Sequence, residues 1–392
     1  MPETVADGQG EQPPAARFGR SSGEDLDTGG EAGDGPAVPR MAGWINRLAA
    51  NRRLQAALAR VPGVRRLVRA EGAAIFDDMQ GFVRSQVLMA LVDLRVMHRL
   101  AKGPLDVDAL ARLLGLDPAR AQVLLQAGAA MKLLRRRRDG MFVLAARGAA
   151  FLAVPGLEAM VRHHHVLYDD LRDPAAFFRG ETDPDLARFW PYVLGGGAGV
   201  DDAARYSRLM AESQALVAEE TLAAVSLRDV RHLMDIGGGT GAFLRAVRAR
   251  APDVKLSLFD LPEVVAGAAL PGDVARLGGS FREGPLPQGA DTISLIRVLY
   301  DHDDATVSAL LRAVHAALPS GGRLILSEPM SGGARPDPQT DVYFSVYTLA
   351  MTTGRTRSAE TLRTQLQAAG FSSVSPAIAR RPFVTSVILA RA

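Results

Sequence analysis

Residues 235–241 read DIGGGTG and follow the apolar run RHLM. An acid, a hydrophobe and a row of glycines at the end of an apolar run describe a loop that meets a nucleotide. Without a Cβ, the backbone comes close to a ligand where any other residue would collide. Two kinds of ligand fit the spacing. Gly237, Gly239 and Ala242 satisfy the G-x-G-x-x-G/A dinucleotide pattern, whose pyrophosphate rests on free N–H groups at a helix start. Gly237, Gly239 and Gly241 equally satisfy D-x-G-x-G-x-G, the loop of S-adenosylmethionine enzymes. That ligand carries a sulfonium, an ammonium and a carboxylate but no phosphate, so Asp235 at the loop entrance suits it better. Asp260 in LFDLP stands at the next strand end, where its two oxygens can accept both hydroxyls of a ribose. Either ligand would use such an acid.

Beyond this loop, HLMDIG, KLSLFDLP, DTISLIRVL and GRLILSEPM alternate with AFLRAVRARA, DATVSALLRAVHAAL and SAETLRTQLQAAG. The alternation predicts an α/β fold, a parallel sheet with helices on both faces. VSPAIARR and VTSVILARA add an antiparallel pair, the usual finish of class I methyltransferases. This finish favours S-adenosylmethionine over a dinucleotide.

Upstream the pattern changes. Residues 1–40 are rich in Gly, Pro, Ala, Glu and Asp without an apolar period, which predicts a disordered acidic tail. Residues 41–200 are expected to form a helical, winged-helix-like domain, and residues 201–392 the α/β domain. Between Met41 and Ala70 stand Arg47, Arg52, Arg53, Arg60, Arg65, Arg66 and Arg69, with no acid among them. They predict two short basic amphipathic helices broken at Pro62-Gly63, packed on the protein body or laid on an anionic membrane surface. PLDVDALARLLGLDPARAQVLLQAGAAMKLL reads as a helix-turn-helix, opened by Asp106 or Asp108 and again by Asp117-Pro118. LLRRRRDGMFVL reads as two strands around Asp139-Gly140. SQVLMALVDLRVM is more apolar than one such unit needs, which points to a homodimer.

Composition narrows the classes. The chain has 392 residues, a formal charge of +3 and no cysteine. Disulfides, thiolate catalysis and Cys-based zinc sites are excluded, and a reducing cytoplasm fits. No apolar run reaches the roughly 18 residues of a membrane span, and MPETVADGQG lacks the features of a secretory signal. RRRR at 135–138 beside the helix-turn-helix is what a DNA-binding protein would show. A repressor has no use for the cofactor loops, so nucleic acid is not an expected partner. His163, His164 and His165 are consecutive on a helix and point in different directions, so no metal is expected there.

MDIGGGTGAFL, LFDLPEVV, GADTISLIRVLYDHDD, ALPSGGRLILSEPM and AMTTGRTRSAETLRTQLQAAGF together resemble the O-methyltransferase family of plant phenolic and bacterial polyketide enzymes. RHHHVLYDDL, RFWPYV and RVLYDHDD resemble, more narrowly, its purple-bacterial branch acting on hydroxycarotenoids, with bacteriochlorophyllide C-methyltransferases as a related branch. The resemblance spans roughly residues 80–392. It implies a helical dimerisation domain joined to a class I Rossmann-like domain, S-adenosylmethionine as cofactor, and a hydroxycarotenoid or a phenolic or polyketide substrate. It places Asp235, Gly237, Gly239 and Gly241 against the methionine moiety, and Asp260 and Leu261 against ribose and adenine. Phe281 would pack on adenine, Ser280 would offer a hydroxyl where relatives have a carboxylate, and Arg297 would stand by the cofactor's carboxylate. His164, Tyr206, Met210, Tyr343, Tyr347 and Met351 would border the substrate.

The departure is catalytic. Where the family has LHDW, with histidine as base, this chain has Leu299, Tyr300, Asp301 and His302. Glu328 matches a carboxylate that orients the base; a second such carboxylate is replaced by Thr356. A phenol benefits from a histidine base, whereas a tertiary alcohol loses its proton only as the new bond forms, so a weaker acceptor suffices. The two-residue period of a strand end would send Tyr300 and His302 to the same side, both within reach of the hydroxyl.

Overall fold

The computed structural model describes residues 61–188 and 214–392, with a few positions between 50 and 57. Residues 1–79 and 80–392 form separate units. In the first, the helix Pro62–Met79 begins at the proline expected to break a helix and runs nine residues beyond Ala70. The acidic tail, Tyr206 and Met210 lie outside the described residues. Among the described residues no helix is long and apolar enough to cross a membrane.

The second unit opens with a winged-helix-like bundle. Asp106, not Asp108, caps the helix Val107–Leu114 by accepting from Ala109 N, and Asp117 caps Pro118–Ala130 through Ala119 N and Arg120 N. Strands β1 (Leu134–Arg136) and β2 (Phe142–Leu144) pair antiparallel around Asp139-Gly140. Leu91, Met97, Leu110, Leu125, Leu134 and Phe142 fill the space between these elements. The helix Leu157–Asp170 follows and carries the three histidines.

The α/β part is one seven-stranded sheet of β3 (His232–Ile236), β4 (Lys255–Asp260), β5 (Ala275–Gly278), β6 (Thr292–Ile296), β7 (Arg323–Glu328), β8 (Ser373–Ala377) and β9 (Ser386–Arg391). Their order is β5-β4-β3-β6-β7-β9-β8, with the pairings from β5 to β7 parallel and both pairings of β9 antiparallel. The strands alternate between two cores. Met234, Ile236, Ile293, Leu295, Leu324 and Leu326 meet the helices Asp304–Ala317 and Ala359–Ala368, while Leu233, Leu256, Leu258 and Ile325 meet the helix Ala242–Arg250. The strand order reverses direction at β3 and β6. Crevices of this kind, beyond the carboxyl ends of the strands, are where α/β sheets bind ligands. The DIGGGTG loop leaves β3 there, and Tyr300 follows β6 there.

One glycine outside the site is fixed by packing. A Cβ on Gly148, in the helix Ala146–Leu152, would stand 2.2 Å from the Leu133 carbonyl oxygen and 2.7 Å from Leu144 Cδ1. Gly148→Ala should therefore destabilise the wing by about 1–3 kcal/mol, the usual cost of overpacking. Chemical denaturation of the variant beside the wild type checks this, and an unchanged midpoint would contradict it.

Candidate active site

The glycine loop folds back over the acid that precedes it. Asp235 is fully buried; its Oδ1 accepts from Ser294 Oγ at 2.6 Å and its Oδ2 has no hydrogen-bond partner. Burial pushes its carboxyl up to about 7, against the lowering effect of the Ser294 hydrogen bond. A Cβ on Gly238 would stand 2.4 Å from Asp235 Oδ2, so only glycine lets the loop cover this carboxylate. Gly237, Gly239 and Gly241 all have positive φ, and the space in front of Gly239 is open. Asp260 closes the loop from β4: Oδ2 accepts from Gly239 N and Oδ1 from Leu261 N, each at 2.8 Å. A buried acceptor without a donor, a loop open at its tip and a carboxylate at its rim fit a cationic ligand that carries a sugar diol.

Past β5, Ser280 Oγ accepts from Arg282 N at 3.2 Å. Phe281 meets His302 edge-on, with ring centroids 5.3 Å apart, and Arg282 Nη2 lies 3.2 Å from His302 Nδ1. Burial, then the Arg282 charge, push His302 down to about 4.

The expectation that Tyr300 and His302 share a side fails. Residues 299–301 form a 3₁₀ turn, not a strand continuation, so the two-residue period ends at β6. Tyr300 turns into a cavity, and His302 packs on Phe281 and Arg282 instead. The cavity, of about 330 Å³, is lined by Tyr300, Arg297, Tyr343, Phe344 and Tyr347, together with Met160, Leu216 and Phe383. Burial holds the Tyr300 phenol well above its usual range, with Asp301 adding to the effect.

Glu328 orients this turn through the backbone and not through a base side chain. Its Oε1 accepts from Leu299 N and, at 3.3 Å, from Tyr300 N. Burial raises its carboxyl to about 7. Arg357 holds the same turn by its carbonyls, donating to Leu299 O at 3.0 Å and His302 O at 2.8 Å, while its Nε pairs with Asp304. Asp301, which the sequence did not single out, is pushed well above the usual carboxylate range by burial and Glu328, and its Oδ1 has no partner.

Arg297 sits in the left-handed region, φ 56°, and reaches the cavity. Its Nη2 donates to Val384 O at 2.8 Å and its guanidinium lies 5.5 Å from the Phe344 ring centroid. These partners belong to the cavity wall and not to the cofactor loop.

The histidines diverge. His163 Nε2 is 3.0 Å from Tyr347 Oη, His164 Nε2 is 2.6 Å from Tyr343 Oη, and His165 Nδ1 meets its own helix at Arg162 O. Tyr343 and Tyr347 line the cavity as expected. Met351 does not: it ends the helix Ser345–Ala350 and packs fully buried with Val166, Leu167 and Phe177. Met160, Phe344 and Phe383 are cavity residues that no motif marks.

Comparison with known proteins agrees with this geometry. Residues 168–372 match the O-methyltransferase domain family and residues 76–153 the O-methyltransferase dimerisation domain. A demethylspheroidene O-methyltransferase from Cereibacter sphaeroides is 59% identical, over 88% of this chain and 93% of that protein. The enzyme of that name from Rhodobacter capsulatus is 53% identical over 92% of each. The crystal structure of human N-acetylserotonin methyltransferase in complex with SAM superposes with a TM-score of 0.68 at 25% identity, covering 82% of this chain and 97% of that one. Loop, sheet order and sequence relatives thus converge: the chain belongs to the O-methyltransferase family.

Proposed function

We propose that the protein uses S-adenosylmethionine to methylate the tertiary 1-hydroxyl of an acyclic hydroxycarotenoid such as demethylspheroidene, as a homodimer. The observation that carries the substrate is the tyrosine-lined cavity, which Tyr300 enters and His302 does not. About 330 Å³ is at the small end for a ligand pocket and far less than a polyene occupies. Only the hydroxylated end enters, and the rest trails past the half-exposed Phe383. The likeness to two carotenoid enzymes over nearly their whole length supports the same reading.

Each residue then has a task. Asp235 and the glycines hold the methionine moiety, Asp260 and Leu261 the ribose and adenine, and Phe281 with His302 the adenine face. When bound, the cofactor supplies a methyl group already activated on a sulfonium. The protein's part is alignment, and correct positioning alone is worth several kcal/mol. Tyr300 stays protonated at neutral pH, so it orients the alcohol by hydrogen bonding and does not act as an anionic base. Glu328 and Arg357 fix the turn that carries it.

The N-terminal unit supports a second partner. On the helix Pro62–Met79, Arg65, Arg66 and Arg69 are exposed, as are Ile75, Phe76 and Met79. Such a face suits peripheral contact with an anionic membrane, the phase that holds a carotenoid. Removing residues 1–70 should reduce co-sedimentation with anionic vesicles; unchanged sedimentation contradicts the contact.

The substrate proposal is tested by methyl transfer to hydroxycarotenoid in detergent beside a phenolic control. Turnover of the carotenoid is expected, and turnover of the phenol alone overturns the reading. Tyr300→Phe should lower kcat by no more than roughly a hundredfold and leave cofactor affinity unchanged. Cofactor binding should also depend on pH. The Asp235 carboxyl is protonated below about 7, and a cation prefers its ionised form. Affinity for S-adenosylmethionine should therefore rise roughly tenfold between about pH 5.5 and 7, where the ligand's amino group stays protonated. Calorimetric titration of Asp235→Asn should show weaker binding without that rise.

A further inference from the structure

The loop between β8 and β9, residues 378–385, carries two arginines and no acid. Its inner side is pinned. Arg381 N and Nε donate to the two carboxylate oxygens of Glu220, at 2.7 and 2.8 Å, and its Nη2 donates to Glu219 at 2.9 Å. Glu220 itself is fully buried. Val384 N closes a turn on Arg381 O at 2.8 Å, Val384 O accepts from Arg297, and Thr385 Oγ1 lies 2.8 Å from Ser327 Oγ. Ala379, Val384 and Thr385 are buried, so the loop is held in one shape.

Its outer side is apolar. Ile378 is 91% exposed, the most of any large apolar side chain among the described residues, and Phe383 is 53% exposed. Arg380, between them, is exposed too. With Arg381 neutralised by the two glutamates, Arg380 is the cation that the loop presents outward. A single exposed isoleucine needs no explanation in a folded protein. What sets this one apart is Phe383, which is at once a surface residue and part of the cavity wall. The cavity therefore reaches the surface at this loop.

Building on the hydroxycarotenoid reading proposed above, we infer that the β8–β9 loop dips into the surface of an anionic bilayer and delivers the substrate from lipid to cavity. Ile378 and Phe383 enter among the acyl chains, and Arg380 meets the headgroup phosphates. A long polyene has next to no solubility in water, so its hydroxylated end needs an apolar path that is continuous with the cavity. Burying Ile378 in lipid is worth roughly tenfold in partitioning, and one arginine beside anionic lipid roughly fivefold. A pinned loop has little freedom to lose on docking, so these gains are kept. This contact is separate from that of the helix Pro62–Met79, which belongs to the other unit of the chain.

The chain has no cysteine, so Ile378→Cys in the full-length protein takes a single environment-sensitive fluorophore. Vesicles of phosphatidylglycerol and phosphatidylcholine in equal amounts should shift its emission to the blue. The same label on Ser372→Cys, exposed at the far end of β8, should not respond. No shift at position 378, whether or not the protein co-sediments, overturns the inference, and so does an equal shift at both positions. The kinetic arm uses Ile378→Asp and Arg380→Gln with hydroxycarotenoid dissolved in the same vesicles. Apparent KM should rise about tenfold in the first and roughly fivefold in the second, with kcat unchanged. With the substrate in detergent, both variants should match wild type. Ile378→Asp kinetics equal to wild type on vesicles, or an equal loss in detergent, overturn the inference while leaving the proposed function standing. Wild-type enzyme inactive on the carotenoid in detergent overturns the proposed function instead, and the label at position 378 still decides whether the loop enters lipid.

Discussion

The turn at residues 299–302 is gripped from both sides by buried charge. Glu328 takes its N–H groups and Arg357 its carbonyls, while Arg355 N and Thr353 Oγ1 reach Tyr300 O and Asp301 O. A short irregular segment at the centre of a sheet cannot rely on water for its backbone, so side chains must serve it. Removing either grip would leave a buried polar group alone, at a cost of order 1–3 kcal/mol or more for a charged one. The position of Tyr300, and with it the floor of the cavity, follows from this clamp. Asp304, at the start of the next helix, extends the clamp by pairing with both Arg355 and Arg357.

The clamp also separates two environments. On one side lie the glycine loop, Asp260, Phe281 and His302; on the other lie Tyr300, Tyr343, Tyr347 and their histidines. Carboxyl groups at 235, 301 and 328 are buried close to this divide, and burial raises all three. A cation next to such a carboxyl would favour its ionised form, an attraction that a demethylated product, having lost the sulfonium charge, would not have.

Much of this was legible in the sequence because it rests on local rules. Apolar runs alternating with helical stretches marked β3, β6 and β7, and Asp117-Pro118 marked a helix start. The glycine spacing placed Asp235 and Asp260 on facing strand ends. The failures come where tertiary contacts override local rules. The strand period could not carry past Ile296, because Arg297 turns left-handed and Leu299–Asp301 coils under the pull of Glu328. Arg357 lies 58 residues from Leu299, whose carbonyl it holds, and no motif links them. The resemblance put Met351 at the pocket, yet its side chain packs with Val166, Leu167 and Phe177 in the cluster that also holds Tyr347, and only Tyr347 reaches the cavity. Of the three histidines the resemblance singled out His164, and only the fold shows that His163, too, meets a tyrosine and is buried.

The last strand in chain order sits inside the sheet: β9 joins β7 on one side and β8 on the other. A ribosome makes it after every strand it connects. Until Ser386–Arg391 has left the exit tunnel, β7 presents a full row of unpaired amide and carbonyl groups, an edge open to other nascent chains. The sheet therefore closes only once β9 has been made, and the Glu328 at the tip of β7 gains its enclosed setting only then. Assembly of the turn at residues 299–302 is thus timed by synthesis of β9.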